Sequence, residues 1–188
     1  FSGGRLRLCV GVGWNWVEYE GLEIPETFKR RGKRQENQIS LLRHLWNEPL
    51  VNHQDRDHKI VRAGILPRPE REIPIWLGGF SKPAYDRAAR IGNGFLFSGR
   101  SQTEAIEHKA YIEKKLNEFG RPVSSFGFEA IQQFNRGPNQ WPHDIIDWSE
   151  AGGSHISVVT MGSNLEKMDD HIDAIQKWRE VYDDVIKG

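Results

Sequence analysis

The residues best suited to holding a reactive group lie in Ile73-Pro-Ile-Trp-Leu-Gly-Gly-Phe-Ser-Lys-Pro83. An apolar run of strand type stops at Gly78 and Gly79, and Phe80, Ser81, Lys82 and Pro83 follow at once. Ser is a preferred N-cap, and Pro is tolerated in a first helical turn, so this reads as strand, glycine turn and helix start. Free N–H groups, the positive end of a helix dipole and the absence of side chains make such a turn an anion cradle. It is expected to hold the phosphate of a cofactor; the plain alternative is a tight turn. A second glycine segment, Gly11-Val12-Gly13-Trp14, closes an earlier strand. Trp14 stands where a dinucleotide fingerprint would continue towards a third glycine, so that motif is not met. Arg34, on the helix that follows, could reach a phosphate or merely solvate a basic helix face.

Groups for direct chemistry are missing. No H-E-x-x-H, G-x-S-x-G or Cys/His pairing occurs, so no metal site and no nucleophile are expected and the catalytic residues stay unassigned. His53 and His58 fall in a hairpin, His108 and His143 on helices, and His155 at the start of a strand. Cys9 lies inside a strand and is expected to be a small core residue. With no acid, base or nucleophile in view, an enzyme of this sequence would leave the chemistry to its cofactor.

The elements that must position these residues alternate. Strands are expected at Arg5–Val12, Ile73–Leu77, Phe95–Phe97, Phe126–Phe134 and His155–Thr160. Helices are expected at about Val17–Gly21, Glu26–Trp46, Lys82–Ile91, Ser101–Phe119, His143–Ala151 and Asp169–Tyr182. In the long early helix Ile39, Leu42, Leu45 and Trp46 form the apolar stripe. Ala84, Tyr85, Ala88 and Ala89 form the inner face of the helix after the glycine turn. Ile172, Ile175, Trp178 and Val181 point inward from the last one. Ser101 and Glu104 make a capping box. Residues 50–66 read as a β-hairpin insertion. Repeated strand–helix units imply parallel strands with helical crossovers, in an open doubly wound sheet or a β/α barrel. Either architecture puts the functional site at the carboxyl ends of the strands. Those ends are Gly11–Trp14, Gly78–Ser81, Ser98–Arg100, Phe134–Arg136 and Thr160–Gly162.

At 188 residues the chain suits a single domain over 1–188. Its 26 basic and 26 acidic residues leave no basic excess for nucleic acid or an anionic membrane. No apolar run reaches the length of a membrane span, and no signal-peptide pattern opens the chain. The single cysteine excludes an internal disulfide and fits a reducing cytoplasm.

Several segments in order resemble the bacterial luciferase-like monooxygenases. They are Arg5–Trp14, Arg31-Gly-x-Arg34 with Ile39, Leu42 and Trp46, Ile73–Gly79 with Ser81, Ala88–Gly94, and Gly152–Met161. The resemblance implies α/β structure of the TIM (β/α)8 type, here an incomplete barrel of about the last five β/α units, with the N-terminal part not in this chain. It implies an oxidoreductase or monooxygenase that uses reduced FMN and oxygen on a small organic substrate. A branch of the family instead transfers hydride with a deazaflavin coenzyme of the F-420 type. The cofactor phosphate would sit at Gly78, Gly79, Phe80 and Ser81, with Arg34 as a second contact and Gly11, Val12 and Gly13 along the ring system. Cys9 departs from the glycine frequent in relatives. A homodimer is usual in the family. Two further readings stay open: a non-catalytic flavin-binding barrel, and an unrelated phosphate-handling barrel, for which no strand end offers a clear Lys, Glu or His.

Overall fold

The computed structural model describes residues 3–99 and 101–187, which form two compact units, Phe1–Asn93 and Gly94–Gly188. The first contains β1 (Leu8–Val10), α1 (Trp16–Gly21), a 3-10 turn (Pro25–Arg30), α2 (Arg31–Asn47), β2 (Val51–Gln54), β3 (Lys59–Ala63), β4 (Ile75–Gly78) and α3 (Lys82–Ile91). Strands β1 and β4 pair in parallel, with Leu8 opposite Ile75 and Val10 opposite Leu77. A parallel pair needs a crossover, and α2 supplies it. Ile75, Trp76 and Leu77 are all buried, as expected of a strand covered on both faces.

Strand β1 is shorter than the expected Arg5–Val12. The Leu8 N–H donates to the Pro74 carbonyl. Pro74 has no N–H of its own with which to extend the ladder. The expected helix from Glu26 also divides: Pro25 opens a 3-10 turn, and Arg30, with φ −111° and ψ 12°, interrupts the backbone before α2 begins. Within α2 the buried positions are Gln35, Ile39 and Leu41, whereas Leu42 and Leu45 line a cavity of about 380 Å³ with Val10 and Gly11. The start of β4 is pinned by Asn93, whose N–H donates to the Ile75 carbonyl at 2.7 Å. The Asn93 Oδ1 accepts from the Ile75 N–H and from Arg43, each at 3.0 Å. Strands β2 and β3 form the antiparallel hairpin expected from the sequence.

Cys9 is exposed and not a core residue. It pairs with Trp76, on the face of β1 opposite to Leu8 and Val10. On that face the Arg7 guanidinium lies over the Trp76 ring at 4.3 Å, so Trp76 is covered while Cys9 is not.

The second unit contains β5 (Gly94–Phe97), α4 (Gln102–Glu118), β6 (Gly127–Gln133), α5 (Trp141–Glu150), β7 (His155–Val159) and α6 (Met168–Lys187). Its strands run parallel in the order β5-β6-β7. The Ser101–Glu104 capping box forms as expected, each partner bonding the other's backbone. Phe95, Phe97, Phe128 and Trp148 make an aromatic core. The inner face of α6 differs from the expectation. Ala174 and Trp178 are buried, while Ile172 and Ile175 are 45% and 46% exposed. Trp178 packs with Trp141 and Ile145, flanked by Val181, Tyr182 and Val185. The buried stripe therefore runs 174, 178, 181, 185, one step round the helix from the expected one.

Both units repeat the parallel β/α motif, and together they make the five strand–helix units of an incomplete (β/α)8 barrel. Among the described residues no helix is long and apolar enough to cross a membrane.

Candidate functional site

The two glycine segments emerge side by side. With Val10 opposite Leu77, Gly11 leaves β1 beside Gly78 at the carboxyl end of the pair. Gly11 faces open space: a Cβ there would meet nothing within 4 Å. Gly13 has φ +70°, a conformation that favours glycine. The loop between them is tied down by its carbonyls. The Tyr19 hydroxyl donates to the Val12 carbonyl at 2.5 Å, and Arg31 Nε donates to the Gly13 carbonyl at 3.1 Å. The second bond fixes the start of α2 to the end of β1. Trp14, 81% exposed, continues the loop.

Gly79 has φ +150°, and a Cβ on it would come within 2.8 Å of the Ala84 Cβ. Packing therefore requires the glycine, whatever binds beside it. Ser81 stands at the N-cap of α3 with extended backbone, and its carbonyl accepts the Ala84 N–H at 2.8 Å. Its side chain makes no capping bond, contrary to the usual role of an N-cap serine. Phe80 is 55% exposed between them. Helix α3 runs back with Ala84, Tyr85, Ala88 and Ala89 buried as expected, joined by Arg87. The Arg87 guanidinium covers Gly32 in the first turn of α2, where a Cβ would meet its Nη2 at 2.0 Å. Its Nε lies 3.6 Å from Glu36, and burial pushes its pKa down from the ordinary arginine value.

Arg34 follows Arg31 by one helical turn. Its side chain is 26% exposed, its Nε is buried without a hydrogen-bond partner, and Asp57 Oδ1 lies 4.0 Å from that Nε. Asp57 belongs to the hairpin tip and was not visible as a site residue from the sequence. It is fully engaged by Arg30, which donates from Nη1 to Oδ2 at 2.6 Å and from Nη2 to Oδ1. The Arg30 guanidinium holds the Asp57 carboxyl below the usual carboxylate range. Asp55 shapes the tip by accepting the backbone N–H groups of Asp57 and His58, both at 2.7 Å. His53 and His58 flank the Asp55 carboxylate at 3.0 and 3.3 Å. Asp55 is likewise held well below the ordinary range, first by its hydrogen bond with His53.

The remaining strand ends belong to the second unit. Arg136 is committed to Asp144, at 2.8 Å, inside a network with Gln132 and Gln140. Arg100 lies outside the described residues. At the end of β7, Thr160 Oγ1 and His171 Nδ1 are 2.8 Å apart, a pair that sequence spacing gave no reason to join. Among the described residues no group of three or more His, Cys, Asp or Glu side chains could hold a metal ion.

Comparison with known proteins bears on this arrangement. A family model described as luciferase-like monooxygenase matches residues 1–133. An F420-dependent glucose-6-phosphate dehydrogenase of Amycolatopsis mediterranei is 36% identical over 110 residues, covering 57% of this chain and 33% of that protein. The chain thus spans about a third of the length of that curated relative. Among solved structures, an F420-dependent secondary alcohol dehydrogenase in complex with an F420–acetone adduct has a TM-score of 0.57 at 12% identity, covering 93% of this chain and 62% of the other. A monooxygenase from Streptomyces bottropensis has a TM-score of 0.59 at 17% identity, covering 98% and 58%. These two likenesses establish the shared barrel fold. The glycine ends of β1 and β4, the barrel architecture and the match over residues 1–133 agree: the chain belongs to the luciferase-like monooxygenase family of oxidoreductases.

Proposed function

We propose that this chain supplies the phosphate-holding part of a deazaflavin-dependent oxidoreductase that moves hydride between its coenzyme and a hydroxyl-bearing small molecule. The observation that carries the reading is Arg34: a half-buried side chain whose buried Nε has no hydrogen-bond partner, one helical turn from the point where α2 is tied to the glycine end of β1. A buried N–H of a cation left without a hydrogen bond is costly, and an anionic ligand offsets that cost. The relatives' names support the deazaflavin branch over FMN and oxygen, which the family resemblance alone put first.

The residues present fit such a coenzyme. Arg34 would donate charge-assisted hydrogen bonds to its phosphate. Gly78, Gly79 and Ser81 would bring backbone and the positive end of α3 to the same group. The Ser81 hydroxyl is left without a capping bond for that purpose. Gly11, Val12 and Gly13 would lie along the ring, with the two glycines leaving room for it and the loop held by Tyr19 and Arg31. The coenzyme, when bound, supplies the hydride acceptor. This chain anchors and orients it.

Titration with an F420-type deazaflavin, followed by fluorescence, tests the reading. Losing a charge-assisted bond of about 1.5–3 kcal/mol should weaken binding about 10- to 100-fold in Arg34→Leu. Equal affinity of wild type and variant refutes the phosphate assignment, and absence of binding to the wild type refutes the function. Binding without coenzyme reduction by any alcohol would favour the non-catalytic reading.

A further inference from the structure

Between β1, α2 and the hairpin lies a cavity of about 380 Å³, inside the range of small-molecule pockets, about 300–1,000 Å³. Val10, Ile39, Leu42 and Leu45 supply an aliphatic wall. Polar side chains interrupt it at Gln35 and Gln38 of α2 and at His58 of the hairpin. Among the described residues lining it there is no Lys, Arg, Asp or Glu. Two of the polar groups answer each other. His58 Nδ1 lies 3.3 Å from Asp55 Oδ1, and its Nε2 lies 3.4 Å from Gln38 Nε2. The carboxylate favours the ring proton on Nδ1, which leaves Nε2 to accept from the Gln38 amide. Gln35 has no such answer: the residue is 7% exposed, and its Nε2 is buried without a hydrogen-bond partner.

We propose that this cavity is a binding site for a small neutral molecule with an aliphatic body and one oxygen that accepts from the Gln35 amide, an alkyl alcohol or ketone in class. A charged ligand would lose its hydration there and find no counter-ion in the wall. A purely apolar ligand would leave the Gln35 N–H carrying its full desolvation cost, whereas an oxygen removes that cost. The aliphatic wall from Ile39 to Leu45 suits the rest of the molecule, whose burial supplies the driving force. The inference does not rest on the coenzyme reading, because none of Arg34, Gly78, Gly79 and Ser81 lines the cavity.

Titration of the whole chain with hexanol, followed by NMR of side-chain methyl and imidazole signals, tests the proposal, with toluene as the oxygen-free probe. In wild type, hexanol should shift the Ile39, Leu42 and Leu45 methyl signals and the His58 ring signals along one saturable curve. Leu42→Trp puts an indole into the cavity and should weaken hexanol binding about tenfold or more. Gln35→Leu removes the donor and should weaken hexanol binding about 2- to 10-fold, while toluene binds as well as before or better. That variant also removes an unpaired buried amide, so its urea midpoint should equal or exceed that of wild type, which rules out unfolding as the cause of weaker binding. Shifts in wild type that rise linearly with hexanol, or that miss these residues, overturn the proposal without any variant. Equal effects of Gln35→Leu on hexanol and toluene overturn the ligand class, since the amide then selects nothing. Deazaflavin titration of the same samples reads the coenzyme site separately, so a failure there and a failure here are told apart.

Discussion

Gly79→Ala separates what the glycine turn does for the fold from what it does for a ligand. At φ +150° Gly79 occupies backbone space that L side chains rarely enter, and its added Cβ would lie 2.8 Å from the Ala84 Cβ in the first turn of α3. The conformational part should cost about 1–2 kcal/mol. Overpacking against Ala84 should add about 1–3 kcal/mol, because β4 and α3 are both buried there and neither can recede freely. Urea unfolding, followed by tryptophan fluorescence, should therefore show a loss of about 2–5 kcal/mol. The double variant Gly79→Ala/Ala84→Gly removes the collision and keeps the backbone strain. It should recover part of the loss, offset by about 1 kcal/mol for a glycine in a helix. A single variant within about 0.5 kcal/mol of wild type, the spread of neutral substitutions, refutes the packing argument. A double variant that regains stability but not deazaflavin affinity would assign the remaining defect to the phosphate cradle.

Other perturbations have defined outcomes. Arg34→Leu should leave the urea midpoint unchanged or raise it, since no hydrogen bond is lost with the guanidinium; a large drop would mean that its loose pairing with Asp57 holds the fold. Ser101→Ala should cost about 1 kcal/mol through loss of the capping box on α4, read from the same unfolding curves. Asp144→Ala strips Arg136, Gln132 and Gln140 of a shared buried acceptor and should cost about 3 kcal/mol, more than Arg136→Ala. Asp55 and Asp57 are held below their unfolded carboxylate values, so their contribution is present above the ordinary carboxylate range, about pH 4, and is lost as pH falls through the lower folded values. Hydrogen exchange in β3 should therefore quicken in acid before exchange in β4 does. Cys9, being exposed, should react with a thiol reagent in the folded protein.

Local chemistry made much of the fold legible. The boundaries of α3 follow from Ser81, Pro83 and Gly92, and those of α4 from Ser101, Glu104 and Gly120, because caps and glycines act within a turn. Errors arose where a neighbour decides the outcome. Cys9 reads as core in an apolar string, but its face of β1 lies beside Arg7 over Trp76. Ile172 and Ile175 have helical spacing, but Trp178 and its aromatic partners set the angle at which α6 packs. On α6 the larger side chain chose the buried face, and periodicity alone does not weigh size.

The candidate site divides in the same way. Its glycines were legible because a positive φ and a close approach leave a mark in the residue type itself. Its charge was not. Arg34 sits in a run of basic residues that reads equally as a solvated helix face, and nothing in its spacing tells that its Nε is buried without a hydrogen bond. The carboxylate that balances its neighbour Arg30 comes from 27 positions along the chain, in a hairpin whose polar tip looks like any solvated turn. A backbone cradle recognises phosphate oxygens whatever else is attached to them, so a turn such as Gly78-Gly79 would serve a monoester and a diester alike. In this unit the hairpin meets the first turns of α2, so the charge beside Arg34 is set by a tertiary contact that no local motif announces.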